Sequence, residues 1–313
     1  MRVVVTGGAG FIGANLVRRL LDEPAISRVV VVDDLSTGSR QNLEGLDVDL
    51  FVGSVLDEDL LGDATAGADA IVHLAARVSV PRSVADPVAT HHANATGTLL
   101  VLEAARRAGS PHVLVASSSS VYGANPTLPK AEELATAPMS PYAVSKLCTE
   151  SYPLAYAACY GLPVLAFRFF NVFGPLQTAG HAYAAVIPTF IDAALRGLPL
   201  PVHGDGGQTR DFTYVGSVAA LLTQAVLQGT TCDRPVNLAF GSRNSLLEVI
   251  TLLEKVLDTP LNREHHPARV GDVRHSQADR ARLGQLFPDM RPLNLLDGLE
   301  QTVEWFRALP AYH

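Results

Sequence analysis

The chain has 313 residues, 48% of them hydrophobic and 18% charged, which is the composition of a folded protein with room for a large core and two lobes. A net charge of −7 without blocks of like charge excludes a nucleic-acid surface, although a local basic pocket can still hold a phosphorylated ligand. No apolar run reaches membrane-spanning length, and Met1 leads straight into RVVVT and a glycine turn with no room for a secretory leader, so a cytoplasmic protein without membrane partners is expected.

In chain order, the strand candidates are RVVVT, RVVVVD, DLFVG, AIVHLA, HVLVAS and PVLAFRFF, with helical stretches at 12–22, 86–108 and 141–160 between them. Strand and helix in alternation predict βαβ units around a doubly wound parallel sheet, and the almost wholly apolar strands predict helices on both faces. Pro153 falls inside 141–160 and predicts a kink there. Beyond 172 the pattern loosens into a loop, a helix over 182–196, the turn-rich LPLPVHGDGGQTRDF and the strand PVNLAF. The expected division is a nucleotide-binding domain over 1–171 with a returning segment near 213–242, and a smaller discontinuous lobe over 172–212 and 243–313. Cys148, Cys159 and Cys232 lack metal-ligand spacing, and the first two stand too far apart along one helix to bond, so all three read as buried free thiols. The pairs His91–His92 and His265–His266 read as solvated polar residues, and no metal site is expected.

The first strand runs into VVVTGGAGFIGANLVRRLL, where Gly8, Gly10 and Gly13 have G-x-G-x-x-G spacing and open an amphipathic helix. Glycines there let the backbone approach a pyrophosphate, whose charge the helix N-terminus favours. Asp33, twenty residues after Gly13, ends the next strand, where a carboxylate accepts both adenosine ribose hydroxyls and repels a 2′-phosphate. NAD rather than NADP is the expected cofactor.

In SPYAVSK, Tyr142 and Lys146 stand four apart at the start of a helix and share one face, in a chain with only three lysines. A nearby ammonium and a nicotinamide cation favour the phenolate, which could remove a hydroxyl proton near neutral pH. The remaining unusual stretch is VASSSSVYG, four serines after an apolar strand.

Together these motifs resemble the extended short-chain dehydrogenases/reductases, in particular the nucleotide-sugar 4-epimerases, over nearly the whole chain. The resemblance reads the glycine motif on Gly7, Gly10 and Gly13, and implies a cofactor site that also takes in Phe11, Ile12, Asp34, Thr37, Gly38, Ser54, Val55, Leu74, Ala75, Ala76, Asn94 and Phe169. It implies a catalytic trio of Ser118, Tyr142 and Lys146, with Ser119 and Ser120 facing the sugar and Ser117 completing the strand. Related 4,6-dehydratases carry Asp and Glu where Ser119 and Ser120 stand, and uronate decarboxylases keep the Glu. Without either acid the implied reaction is the transfer of hydride from C4 of a UDP-sugar to NAD and its return to the opposite face.

On the substrate side the same resemblance implies Asn171, Arg210 and Arg269 on the diphosphate, Asp272 on the nucleotide ribose, His203 against the uracil, and Val80, Ala185, Val186 and Ser276 around the sugar. AYAAVIP, SVPRS and GDVRHS resemble the epimerases of UDP-N-acetylglucosamine and UDP-N-acetylgalactosamine, in which a small residue at Ser276 leaves room at C2. UDP-uronate 4-epimerases share the serine run but carry threonine in place of Asn171, and a catalytically silent NAD-binding regulator would be expected to lose Tyr142 or Lys146. Two departures from the family are Ser54, where an adenine-contacting Asp is usual, and Ser217, which is expected to cap the following helix. A homodimer built on helices near 88–107 and 141–160 is also implied, with Leu99, Leu100, Leu147 and Leu154 at its seam.

Overall fold

The structure is a computed structural model whose described residues are 1–179, 184–267 and 274–312. The first half alternates β1 (Arg2–Thr6), α1 (Phe11–Leu21), β2 (Arg28–Asp33), β3 (Asp49–Val52), α2 (Glu58–Thr65), β4 (Ala70–His73), α3 (Val80–Ala85), α4 (Pro87–His91), α5 (Gly97–Arg107), β5 (His112–Ser118), α6 (Pro141–Tyr160) and β6 (Val164–Phe169). There follow β7 (Asn171–Phe173), α7 (Val186–Leu195), β8 (Leu200–His203), β9 (Thr209–Arg210), β10 (Phe212–Tyr214), α8 (Val215–Gln228), β11 (Val236–Leu238), β12 (Asn244–Ser245), α9 (Leu246–Leu257), β13 (Arg263–His266), α10 (Ala281–Leu286) and α11 (Leu295–Arg307).

Seven strands form one parallel sheet in the order β11-β6-β5-β4-β1-β2-β3, which is the doubly wound arrangement expected. Side chains alternate across it. Val3, Val5, Val29 and Val31 face one core with residues of α1 and α8, whereas Val4, Val30 and Val32 face another with residues of α2, α5 and α6. Both faces are dry, so the strands carry no polar alternation. The chain order reverses between β1 and β4, where the flanking connections diverge and leave a crevice at the carboxyl ends of the strands. A separate core gathers Phe190, Val202, Phe212, Ile250, Leu299 and Phe306 from α7, β8, β10, α9 and α11, while α8 and β11 return to the large sheet against α1 and β6.

Several local expectations change. The helix over 86–108 is interrupted by a π-helical turn at His92–Thr96, between α4 and α5. Pro153 is buried within α6, which runs unbroken from Pro141 to Tyr160. Ser217 does not cap α8: the helix starts after Tyr214, and the Ser217 hydroxyl accepts instead from the Leu293 amide at 2.9 Å. Cys159 is exposed in the last turn of α6, and Cys148 and Cys232 are half-buried. His266 packs its ring 5.4 Å from that of His203, because parallel pairing of β8 with β13 sets the two residues side by side.

His73, at the end of β4, is fully enclosed by polar partners. Its Nδ1 lies 2.7 Å from Thr6 Oγ1 and its Nε2 lies 3.0 Å from Thr98 Oγ1. The Thr98 hydroxyl donates to Asn94 O at 2.6 Å, so Nε2 carries the proton and Thr6 donates to Nδ1. Burial first, and the Lys146 ammonium second, push the imidazole down to about 3. An unfolded chain therefore takes up a proton that the folded chain refuses between the free-imidazole value of ~6.5 and that point, and stability should fall as pH falls through this window. His73→Gln, which keeps a donor and an acceptor but cannot titrate, should flatten the slope. Urea unfolding at a series of pH values checks this, and an unchanged slope would exclude His73 as its source.

Candidate active site

A cleft of about 2170 Å³ opens over the reversal point and continues between the two cores. Of the residues that the resemblance implies for the cofactor, Gly7, Gly10, Phe11, Ile12, Gly13, Asp33, Asp34, Thr37, Ser54, Val55, Leu74, Ala75, Ala76 and Phe169 line the cleft wall. Gly8 is not in this wall and Gly7 is, with φ +72°, so the chain uses the glycine spacing of 7, 10 and 13. A Cβ on Gly13 would sit 2.1 Å from Gly7 O, which shows how closely helix and turn approach. On Gly10, by contrast, a Cβ would meet only Gly7 O, at 3.3 Å. That open side, together with an α1 N-terminus lacking any side-chain cap, fits an approaching pyrophosphate.

Asp33 is buried, and each of its oxygens already accepts one backbone amide, Ala9 N and Leu35 N, both at 2.9 Å. Burial raises its pKa above the ordinary carboxylate value and those two bonds pull it back. A carboxylate offers about four lone-pair positions, so room remains for a ribose diol. Gly38 and Asn94 stand elsewhere. A Cβ on Gly38 would lie 2.7 Å from the backbone of Ala9, so it supports the glycine turn from behind. Asn94 is buried in the π-helical turn, where its amide accepts from Arg77 N (2.7 Å) and donates to Arg77 O (3.2 Å) and Ser145 Oγ (2.9 Å). Its side chain holds the 77 loop against α6 through these three bonds.

Tyr142 and Lys146 line the cleft from the first turns of α6, whose start is set by Ser140: the Ser140 hydroxyl accepts from Ala143 N at 3.1 Å, and Pro141 follows. Lys146 Nζ donates to Ala116 O at 2.7 Å, and burial lowers its pKa to about 8. Ser118 hydrogen-bonds the Tyr142 hydroxyl and favours its ionised form, but burial is the larger effect and raises Tyr142 above the ordinary phenol value. The expected poised phenolate is therefore not a property of the protein groups alone. Desolvation outweighs the Ser118 bond.

Of the four serines, Ser117 and Ser118 line the cleft, whereas Ser119 and Ser120 enter a 3₁₀ turn that carries them off the wall. Ser118 Oγ accepts from Ser120 N at 3.2 Å, while Ser120 Oγ is buried without a partner. Ser117 does complete β5 and also reaches into α6, close to Glu150.

On the substrate side Asn171, Ala185, Val186, His203 and Arg210 line the cleft. Arg210 Nη1 donates to Thr209 O (2.9 Å) and Arg274 O (3.2 Å), and His203 Nδ1 donates to Pro267 O at 3.2 Å. Val80 is 44% exposed and stands off the wall; its neighbours Val78, Ser79 and Arg82 line it instead. Ser276 is half-buried beside this end, with its amide on Thr209 O at 3.0 Å, and it is not part of the wall. Arg269, Asp272 and the first two residues of AYAAVIP lie outside the described residues.

Some wall and support residues have no sequence motif of their own. Ser83 is buried on α3, donates to Val80 O at 2.7 Å and accepts from Tyr142 N at 3.0 Å, satisfying an amide that the start of α6 leaves free. Ser79, just before it, has φ +109°, a costly backbone conformation for a residue with a Cβ. Gln177 Nε2 donates to Val172 O at 3.2 Å, which leaves its Oε1 buried and unpartnered in a residue of the cleft wall. A ligand donor would satisfy it.

The family described as NAD dependent epimerase/dehydratase matches residues 3–239. A UDP-glucose 4-epimerase of Mycolicibacterium smegmatis is 38% identical, over 98% of this chain and 99% of its own. Among solved structures, a UDP-N-acetylglucosamine 4-epimerase from Methanobrevibacter ruminantium, in complex with UDP-N-acetylmuramic acid, superposes with a TM-score of 0.91 at 35% identity, covering 97% of each chain. A UDP-glucose 4-epimerase of Thermus thermophilus in complex with NAD gives 0.88 at 33% identity, covering 98% of this chain and 99% of that one. With a glycine turn open to a pyrophosphate, the buried Asp33 carboxylate and the Ser118, Tyr142 and Lys146 side chains in one cleft, this chain belongs to the NAD-dependent epimerase/dehydratase family, and NAD is its cofactor.

Proposed function

We propose that the chain is a UDP-sugar 4-epimerase, acting first on UDP-N-acetylglucosamine and UDP-N-acetylgalactosamine and also on UDP-glucose and UDP-galactose. The observation that carries the reading is that Ser118 lines the cleft with Tyr142 while serines, not acids, follow it in the chain at 119 and 120, the two positions where dehydratases need acids. NAD, when bound, supplies a reversible hydride acceptor. Tyr142 takes the C4 hydroxyl proton and later returns it, and Ser118 gives the same sugar oxygen a hydrogen-bond partner. Lys146, whose pKa burial lowers to about 8, takes the role of an ammonium on the same helix face as Tyr142. Asn171 and Arg210 hold the diphosphate and His203 the base, so that the keto sugar stays tethered while it turns over. Arg269 and Asp272 complete this set as expectations from the sequence.

Incubation with UDP-hexoses, UDP-N-acetylhexosamines, UDP-glucuronate and dTDP-glucose without added NADH, read by chromatography, tests the reading. Formation of the 4-epimer supports it. Stoichiometric NADH accumulation or loss of water from the sugar would overturn it, and turnover of the uronate alone would move the substrate class. Tyr142→Phe should lower turnover by at least ~100-fold with NAD still bound, since a positioned acid–base group contributes about that much. Activity within a few-fold of the parent would remove the base assignment. Ser276→Tyr should depress N-acetylhexosamine substrates by roughly tenfold relative to UDP-glucose, because added bulk beside the C2 substituent costs ~1–3 kcal/mol. Equal effects on both substrates would show that Ser276 does not gate C2.

The working unit is proposed to be a homodimer that uses the expected helices near 88–107 and 141–160, with seam residues other than the four leucines. Leu99, Leu100 and Leu154 pack on the chain's own second core and Leu147 on another. Val84 (65% exposed), Val88 (64%) and Val144 (46%) are apolar residues left outside on α3, α4 and α6, helices that contact one another. Val84→Asp with Val88→Asp should convert a dimer to monomer in light scattering, and a monomeric parent at micromolar concentration would reject the proposal.

A further inference from the structure

Behind the reactive side chains lies a buried ion pair that is not itself part of the cleft wall and bonds the wall residue Ser117. Arg168 on β6 donates from Nε to Glu150 Oε2 at 2.9 Å and from Nη2 to Glu150 Oε1 at 2.6 Å, and the two side chains are only 4% and 3% exposed. Glu150 stands on α6 one turn after Lys146 and two turns after Tyr142. Ser117 Oγ lies 2.7 Å from Glu150 Oε2 and 3.0 Å from Lys146 O, and its single proton belongs on the carboxylate, the stronger acceptor. The residue before Ser117 is Ala116, whose carbonyl holds Lys146 Nζ, and the residue after it is Ser118. One carboxylate thus grips the strand segment that orients both Lys146 and Ser118.

A buried pair of this kind adds little stability over well-packed apolar residues, because desolvation cancels much of the attraction. Its geometry gives it another use. Eight residues of helix put Glu150 ~12 Å along the axis from Tyr142, close enough for an unbalanced charge to bias the phenol. We propose that Glu150 and Arg168 are positioning residues for the reaction: they hold Ser117, and through it Lys146 and Ser118, while cancelling each other's charge beneath Tyr142.

Of the other ionisable groups around the pair, Tyr122 acts on Arg168 directly, and the rest face other partners. The Tyr122 ring centre lies 4.7 Å from the Arg168 guanidinium carbon, and its hydroxyl donates to Asn237 Oδ1. Glu132 offers Arg168 only its backbone carbonyl, at 3.4 Å, while its carboxylate accepts from Asn237 N and lies 3.9 Å from Arg282. Lys130 turns its ammonium to Asn125 O. His73, facing Lys146 from β4, is held neutral.

The inference rests on Tyr142 as the base, and three variants test it. Glu150→Gln leaves Arg168 unbalanced, Arg168→Met leaves Glu150 unbalanced, and the double variant removes both charges. In kcat measured across about pH 5 to 10, the low-pH limb reports loss of the Tyr142 proton. That limb should move down in Glu150→Gln and up in Arg168→Met, by roughly one pH unit for a charge ~12 Å away at an effective dielectric of ~20. The double variant should return it to the parent position, with kcat lowered and KM unchanged because only the grip on Ser117 is lost. If a single variant fails to fold, the double variant decides alone: a parental limb with reduced kcat supports the proposal, and a displaced limb or a parental kcat overturns it. Superimposable profiles in all three, or losses confined to thermal stability, overturn it too. Failure of the base assignment is a separate result, since Tyr142→Phe would then retain activity.

Discussion

Seven strands that all run in one direction must deliver their carboxyl ends to a single edge of the sheet, and nearly everything else about this protein depends on that constraint. The glycine turn after β1, Asp33 at the end of β2, Ala75 after β4, Ser118 at the end of β5 and Phe169 at the end of β6 meet there because each is the last residue, or nearly the last, of a parallel strand. Parallel pairing requires helical crossovers, and these cover both faces and keep the sheet dry. What is left open is the one edge where the order reverses, so the same topology that buries the valines also supplies the cleft.

Around that edge the second lobe is fastened by polar groups that have no contact with water. Asp211 is the clearest case: fully buried, it accepts from Gly241 N at 2.9 Å, Ala278 N at 3.2 Å and Ser242 Oγ at 2.8 Å, while its own carbonyl holds Asn171 N. Burial raises its pKa above the ordinary carboxylate value and those donors oppose the rise. Three segments distant in sequence therefore converge on the residue next to Arg210, and Asn237 plays the same part between Tyr122, Glu132 and Lys130. Such groups are expensive if left unsatisfied, so they tolerate few alternative arrangements of the lobes.

The reactive residues show the opposing use of burial. Lys146 is made less basic and Tyr142 less acidic by the same loss of water, which by itself moves both toward neutral forms. A cation bound beside them would change that electrostatic setting. Ser83 and Asn94 hold the start of α6 from α3 and the π-helical turn, and Ser79 carries backbone strain in the loop between. The wall segment over residues 77–94 is thus mechanically joined to the helix that carries Tyr142 and Lys146.

Local chemistry was legible in the sequence because it acts over a few residues. The glycine spacing, the carboxylate twenty residues later, and the Tyr142–Lys146 pair one helical turn apart follow from sterics and periodicity, and the doubly wound sheet follows from the alternation of strands and helices. Packing decided the rest. Four identical serines differ only in whether β5 or the following 3₁₀ turn holds them, and Asn94 is a clamp because residue 77 comes beside it. Leu99 and Leu147 face inward while Val84 and Val88 do not, as the sheet beneath the helices dictates. The partner of the Tyr142 amide is 59 residues away and that of the Tyr122 hydroxyl 115 away, distances over which no propensity or spacing rule operates, so only the folded chain brings those groups together.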